Sequence, residues 1–318
     1  MEADPAVRER ESTEPAAELE VDTEEILAED PNRALLFLKE LLAHGRRSPT
    51  VAFAYLAIGV VAVFGALPGL VSPHEPMTTD LGAVLNPPSL EHLLGTDQFG
   101  RDIFSRIVHG TRISLYIGFA SVGIAAGIGG VLGLIAGYVR GAVDSTVMRL
   151  MDVLLAFPGV LLALAIIAIA GRSVTNLVLA VGISLIPAYA RVMRSEVVSV
   201  RERPYVEAAR AAGTREIVVA LRHVLPNSLS SLVVLGAVGV GLSILIGSAA
   251  SFLGLGPRPP TPEWGAMLSD GRNYIARAWW IATFPGLAIT ITVLAVNIVG
   301  DVLKDIFDPR SDALLQQR

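Results

Sequence analysis

Residues 204–227 read PYVEAARAAGTREIVVALRHVLPN, a charged, alanine-rich stretch set between two of the most apolar segments of the chain. Pro204 suits a first helical turn, Glu207 favours the positive end of the helix dipole, and Ala208, Ala209, Ala211 and Ala212 propagate the helix. Gly213 can take the left-handed conformation that ends a helix, and Thr214 is placed to cap the next one. In that second helix Ile217, Leu221 and Val224 fall on one stripe, Arg215, Glu216 and Arg222 turn to water, and Pro226 punctuates the chain. The pattern predicts helix, tight turn, helix, with an alanine surface suited to a shallow groove on another protein.

The flanks decide what kind of protein carries this stretch. Of 318 residues, 52% are apolar and only 17% charged, too oily a balance for most soluble domains. About 20 helical residues cross a ~30 Å hydrocarbon core, and six segments meet that length, at roughly 50–71, 113–138, 150–170, 174–193, 229–252 and 279–303. Backbone exposed to lipid must close its own hydrogen bonds, so the expected fold is an all-α polytopic membrane bundle of six transmembrane helices. Gly123 and Gly127, then Gly129, Gly133 and Gly137, recur at four-residue spacing in the second span and allow close helix approach. Pro158, Pro187 and Pro285 lie inside spans, where kinks are expected. There is no cysteine, which excludes disulfides and thiolate metal sites.

Charge sets the expected orientation. With the N-terminus inside, the inner segments hold 18 of the 25 basic residues, including Lys39, Arg46, Arg47, Arg140, Arg149, Arg191, Arg194, Arg201, Arg203, Arg210, Arg215 and Arg222. The positive-inside rule then places 204–227 and both termini in the cytoplasm, with Arg101, Arg106 and Arg112 of the first outer loop counting against it. Residues 1–30 carry twelve acidic side chains against two arginines and too little apolar surface to fold alone. They also lack the basic start and apolar core of a cleavable signal. The expected organisation is an acidic, largely disordered cytoplasmic tail over 1–48, a first transmembrane helix and external loop over 49–112, a five-helix core over 113–303, and a cytoplasmic tail over 304–318. The core includes a cytoplasmic loop at about 195–227.

Two helices about a glycine turn also describe a DNA-binding helix-turn-helix, but a tether of a few residues to membrane spans on both sides removes nucleic acid as a partner. A connection of about 35 residues is longer than neighbouring helices need, and long loops are often functional. The stretch resembles the EAA loop of ABC-importer permeases, with Glu207, Ala208, Ala209, Gly213, Leu225 and Pro226 at that family's spacing. His223 stands where the general pattern has isoleucine, and His-x-Leu-Pro-Asn is similar to the dipeptide, oligopeptide and nickel branch. A metal role for His223 lacks a second ligand at helical spacing. Residues 92–115, HLLGTDQFGRDIFSRIVHGTRISL, and 251–272, SFLGLGPRPPTPEWGAMLSDGR, resemble the outer segments of the same branch. In the first, Asp102 and Arg106 form an i, i+4 pair and Phe99, Ile103 and Ile107 an apolar stripe, which predicts an amphipathic helix lying on the outer face. His92, Asp97, Asp102 and His109 suggest a metal site, but a cap and an ion pair are nearer explanations of the two acids.

The resemblance implies a type I importer permease fold and a share of the work. Such a chain forms half of a pore and pairs with a homologous second permease. Two ATP-binding subunits grip the EAA loops, and an extracytoplasmic substrate-binding protein delivers the cargo, here dipeptides or oligopeptides, with nickel chelates or other small solutes as the alternative. A phosphate-cradling GxxxxGK[ST] loop needs a lysine, and neither Lys39 nor Lys304 sits in such a context. ATP and Mg are therefore expected on the partner subunits, with no cofactor in this chain. A proton-coupled transporter would need ionisable groups within the membrane, whereas Asp152, paired with Arg149, and Asp301 lie near inner ends. A membrane-embedded hydrolase would need paired aspartates, a serine–histidine or serine–lysine set, or HExxH, and none is present. Ser184, Ser243, Ser248, Asn176, Thr283, Thr290 and Asn297 read as interhelical hydrogen-bonding groups or pore lining.

Overall fold

The computed structural model describes Gly45 and residues 48–307. Apart from Gly45 and Ser48, the acidic tail expected over 1–48 lies outside them, as do residues 308–318. Helices account for the architecture, and the one β-type contact among the described residues is an isolated bridge between Thr96 and Asp102. Five helical runs are long and apolar enough to cross a membrane, or six if one sharply bent pair counts as a single span.

The first span, α1 (Pro49–Ala66), starts on a proline whose missing N–H costs nothing at that position, and a one-turn α2 (Pro68–Val71) follows. Only 11% of the spanning window of α1 is buried, so it lies at the edge of the bundle, with Ala54 and Ala57 against Ala295 of the last helix. The centre is α6 (Val174–Arg201), 67% buried over its window and capped by the Ser173 hydroxyl, which accepts from the Asn176 N–H at 3.0 Å. Against it lies α3 (Ile103–Val139), 37 residues and about 55 Å long. Glycine makes that approach possible. A Cβ at Gly129 would stand 2.7 Å from the carbonyl oxygen of Ile186, one at Gly133 2.3 Å from that of Ala190, and one at Gly137 2.8 Å from that of Arg194. The four-residue spacing is thus a seam from 129 onward, whereas Gly123 and Gly127 meet nothing within 4 Å and lie on another face.

The third expected span is not one helix. It is divided into α4 (Gly141–Leu155) and α5 (Gly159–Ala170), bent by 86°. Pro158 stands at the N-cap of α5 and has no N–H to continue the ladder of α4, so the predicted kink becomes a break. Two ion pairs hold α4 against α6. Arg194 grips Asp144 with two bonds of 2.5 Å, and Arg191 pairs with Asp152. The expected Arg149–Asp152 pair does not form, because α6 presents a nearer guanidinium to Asp152. Pro187 and Pro285 remain inside α6 and α10 (Trp280–Phe307).

At the opposite end of α3 from Val139 the chain builds a polar platform. The predicted surface helix is instead the first turns of α3 itself, with Ile103 and Ile107 buried and Phe99 exposed outside the helix. Asp102 does not pair with Arg106 but caps α3, accepting from the N–H and hydroxyl of Ser105 at 2.8 and 2.7 Å. The ion-pairing acid is Asp97, 2.6 Å from Arg101 Nε and 3.6 Å from Arg106 Nε. The reversal has a simple cause: an acid immediately before a helix satisfies orphan N–H groups, and so is no longer aimed along the helix face. Arg106 also donates to the Pro76 carbonyl at 3.1 Å, while Trp264 and Trp280 donate their indole N–H to the carbonyls of Ile107 and Thr96. Next to this network burial pushes the Asp270 carboxyl upward, against the attraction of Arg106 and Arg101.

The polar side chains within the spans mostly serve their own helix. Ser184, Thr283 and Thr290 donate to carbonyls three or four residues back, and Asn176 donates to Ala170 and Gly171 at the α5–α6 turn. Neutral interhelical bonds include two from residues that apolar periodicity does not single out: the Ser121 hydroxyl to the Val178 carbonyl at 3.0 Å, and Tyr189 to Leu235 at 3.3 Å.

Candidate functional site

The stretch 204–227 sits at the Val139 end of α3, between α6 and the next span. Its first half is α7 (Pro204–Ala211), with Pro204 at its start and Glu207 in the first turn. One face is anchored: Val206 is fully buried and Ala209 packs against the main core, while Glu207, Ala208, Ala211 and Ala212 are exposed. The helix closes in a Schellman motif. Thr214 N–H reaches the Ala209 carbonyl at 3.1 Å, Gly213 N–H reaches that of Arg210 at 2.9 Å, and Gly213 has φ +79°. This is the conformation that a β-carbon disfavours, so the glycine at that spacing is explained by the turn itself.

The second half departs from the sequence reading in three respects. Thr214 does not cap α8 (Glu216–Val219), because it lies one residue too early; Arg215 occupies the N-cap and makes no side-chain cap bond. The helix does not stop at Pro226. It runs on through a π-helical turn, Ala220–Val224, into α9 (Leu225–Ala250). Leu225 N–H bonds the Ala220 carbonyl five residues back, a widened turn that makes room for the proline ring, which would otherwise press on the carbonyl of Arg222. Asn227 Nδ2 donates to the His223 carbonyl at 2.7 Å, which gives the asparagine of His-x-Leu-Pro-Asn a structural task. The same π turn shifts the helical phase. Val224 turns inward and is buried with Val219, whereas Ile217 and Leu221 stay outside, 63% and 52% exposed.

These outward side chains, with Val218, Arg222 and Pro226, line an open hollow of about 440 Å³. Half-buried Leu225 packs on the core behind it. Of the residues singled out from sequence, the structure therefore exposes Glu207, Ala208, Gly213 and Pro226, and seats Ala209, His223 and Leu225 half-buried.

An anchor that the local pattern could not reveal comes from 78 residues upstream. The Tyr138 hydroxyl donates to Glu216, within reach of its carboxylate and 2.9 Å from its carbonyl oxygen. Arg210 Nε lies 3.3 Å from the Glu216 carboxylate, and the guanidinium groups of Arg201 and Arg210 lie 5.5 and 5.9 Å from the centre of the Tyr138 ring. The Tyr138 hydroxyl and the Glu216 carboxylate raise Arg210 above its ordinary value, so its charge persists at any physiological pH. Both halves of the loop are thereby tied to the Val139 end of α3. Chemically the surface holds no nucleophile–base pair; it offers a fixed apolar patch rimmed by arginines.

A family model described as the binding-protein-dependent transport system inner membrane component matches residues 129–312. The chain belongs to this permease family. The matched region contains the α3–α6 seam from Gly129, the whole loop and the last span. Individual permeases are similar over more of the chain. The glutathione transport system permease protein GsiD of Pectobacterium atrosepticum is 50% identical over 223 residues, 70% of this chain and 74% of that protein. The dipeptide transport system permease protein DppC of Alkalihalophilus pseudofirmus is 47% identical, over 71% of this chain and 74% of its own. The di/tripeptide transport system permease protein DppC of Pseudomonas aeruginosa is 45% identical over 76% of this chain and 81% of its own. The permease is thus a multi-pass membrane protein and a transporter subunit.

Proposed function

We propose that this permease forms half of the translocation pore of an ATP-driven importer for short peptides. Relatives named for dipeptide, di/tripeptide and glutathione transport support that cargo, and do not favour a nickel chelate. In this reading a homologous second permease completes the pore, an extracytoplasmic binding protein delivers the peptide, and two ATP-binding subunits hold ATP and Mg. The permease itself carries no cofactor. It lies in the cytoplasmic membrane with both termini and the loop at 195–227 inside, as the arginine distribution suggests.

The observation that carries the reading is the exposed patch of Ile217, Val218 and Leu221 on a loop braced by Tyr138, Arg210 and Glu216. Exposed Glu207 and Ala208 offer the ATP-binding subunit a small, smooth helix face. Gly213 sets the angle between the two halves, and Ala209, His223, Leu225 and Pro226 transmit force into α9, since the helix runs on from Glu216 through the π turn to Ala250, ahead of the kink at Gly254. Closure of the ATP-binding subunits would move this loop as a lever and switch the pore between inward- and outward-facing states. The test is reconstitution in liposomes with the partner permease, ATP-binding subunits and binding protein. A panel of dipeptides, tripeptides and glutathione should include at least one cargo taken up only with ATP and only when all subunits are present. Uptake that persists without the ATP-binding subunits, or a complete complex that moves a nickel chelate and none of the peptides, would overturn the proposal.

A further inference from the structure

The platform at the far end of α3 holds a second constellation, which the transport reading does not use. His74 follows α2, His92 lies in the outer loop, and Asp102 caps α3, yet their ligand atoms all fall within 4.8 Å of one another. His92 Nδ1 is 3.0 Å from Asp102 Oδ1 and His74 Nδ1 is 3.9 Å from Asp102 Oδ2, with the two imidazoles 4.9 Å apart between ring centres. We propose that His74, His92 and Asp102 form a zinc site that clasps three separate segments of the outer platform.

Three features favour a metal over a plain histidine–carboxylate hydrogen bond. His74 Nδ1 is itself shielded from solvent and has no hydrogen-bond partner, although it faces Asp102. An orphaned buried nitrogen is costly, and a cation would satisfy it. The frame is built before the metal arrives: Ser105 Oγ donates to Asp102 Oδ2 and accepts from the His74 backbone N–H at 3.2 Å, and Ser72 Oγ donates to the His74 carbonyl at 2.5 Å. Such outer contacts fix ligand orientation. The size also fits. Ligands about 2.0–2.1 Å from a tetrahedral zinc stand roughly 3.3 Å apart, close to the 3.0 Å from His92 to Asp102 Oδ1, and a small inward shift of His74, now 3.9 Å from Oδ2, completes the set. Two imidazoles and one carboxylate suit zinc rather than calcium or magnesium, which take oxygen. The Asp102, His92 and His74 side chains are 1%, 13% and 38% exposed, and water would be the fourth ligand.

Apolar periodicity could not reveal this grouping, since His74 lies 28 residues before Asp102 and the chain must fold back to bring it there. The sequence put His92 and Asp102 in a candidate metal set, but with Asp97 and His109 and without His74. Asp97 is committed to Arg101 and Arg106, and His109 is not among the converging groups.

The test uses the full chain in detergent, purified through a histidine-free tag, stripped with chelator and titrated with Zn²⁺ against a chromogenic competitor. The wild type should hold about one zinc per chain. His74→Ala and His92→Ala should each weaken binding at least about tenfold, the scale on which even outer-shell partners act, and His109→Ala should not. Because the variants could fold poorly, a second readout uses the wild type alone: Zn²⁺ should slow diethylpyrocarbonate modification of His74, read by peptide mass spectrometry. A wild type that binds no zinc, variants that bind it as well as the wild type, or His74 modified equally fast with and without Zn²⁺ would each overturn the assignment.

Discussion

Replacing Gly213 isolates the turn from every other contribution. A Cβ built there meets nothing within 4 Å, so a side chain collides with no neighbour and the whole cost is that of φ +79°. For an L-residue the left-handed conformation costs roughly 1–2 kcal/mol, and more for a β-branched side chain. That range is a factor of about 5–30 in the population of the native turn. Asparagine tolerates the region, so the predicted order of coupling is Gly, then Asn, then Ala, then Val. The assay is titration of the purified permease with the ATP-binding subunits, alongside the amount of membrane-embedded protein and peptide uptake. Gly213→Ala should insert normally and bind the ATP-binding subunits about 5–30-fold more weakly, Gly213→Val should bind them more weakly still, and each should lose uptake in proportion. Asparagine should fall between glycine and alanine. If Gly213→Val binds and transports like the wild type, the turn is not part of the coupling surface.

Other perturbations separate bundle from loop. Gly133→Ala should destabilise the bundle by about 1–3 kcal/mol, because its Cβ would press on the Ala190 carbonyl at 2.3 Å, whereas Gly127→Ala meets open space; thermal unfolding in detergent should set the two apart. Tyr138→Phe removes the hydroxyl that holds Glu216, and should lower ATP-dependent uptake while leaving membrane insertion and cargo delivery by the binding protein unchanged. For orientation, single cysteines at exposed Ser89 and at Thr261 should react with an impermeant thiol label added outside cells, and one at Arg210 should not.

The sequence made the bundle legible because span length and glycine spacing are local quantities. The seam at Gly129, Gly133 and Gly137 and the left-handed Gly213 both follow from residue type and spacing. What local reading missed depends on competition between partners. Asp97 and Asp102 exchange the expected roles of cap and ion pair, since the start of α3, not the helix face, claims Asp102. Asp152 finds Arg191 on another helix before its neighbour Arg149. Pro158 breaks a span that apolar length alone counts as continuous. In the candidate site the turn was readable, but the π turn at Ala220–Val224 was not. It alters the phase by which Ile217, Leu221 and Val224 would share a face, and so decides which of them is offered to a partner. Tyr138 was invisible for a plainer reason: no periodicity connects positions 78 residues apart.

On the proposed function, ATP-binding subunits grip the permease at the surface around Ile217 and Leu221. A photo-crosslinking residue placed at Leu221 in the assembled complex tests it directly, with one at Ser89 on the opposite end of the molecule as reference. Leu221 should capture an ATP-binding subunit, with a yield that changes between the nucleotide-free and ATP-bound states, and Ser89 should capture none. Equal capture from both positions, or no ATP-binding subunit captured from Leu221 in a complex that still transports, would contradict it.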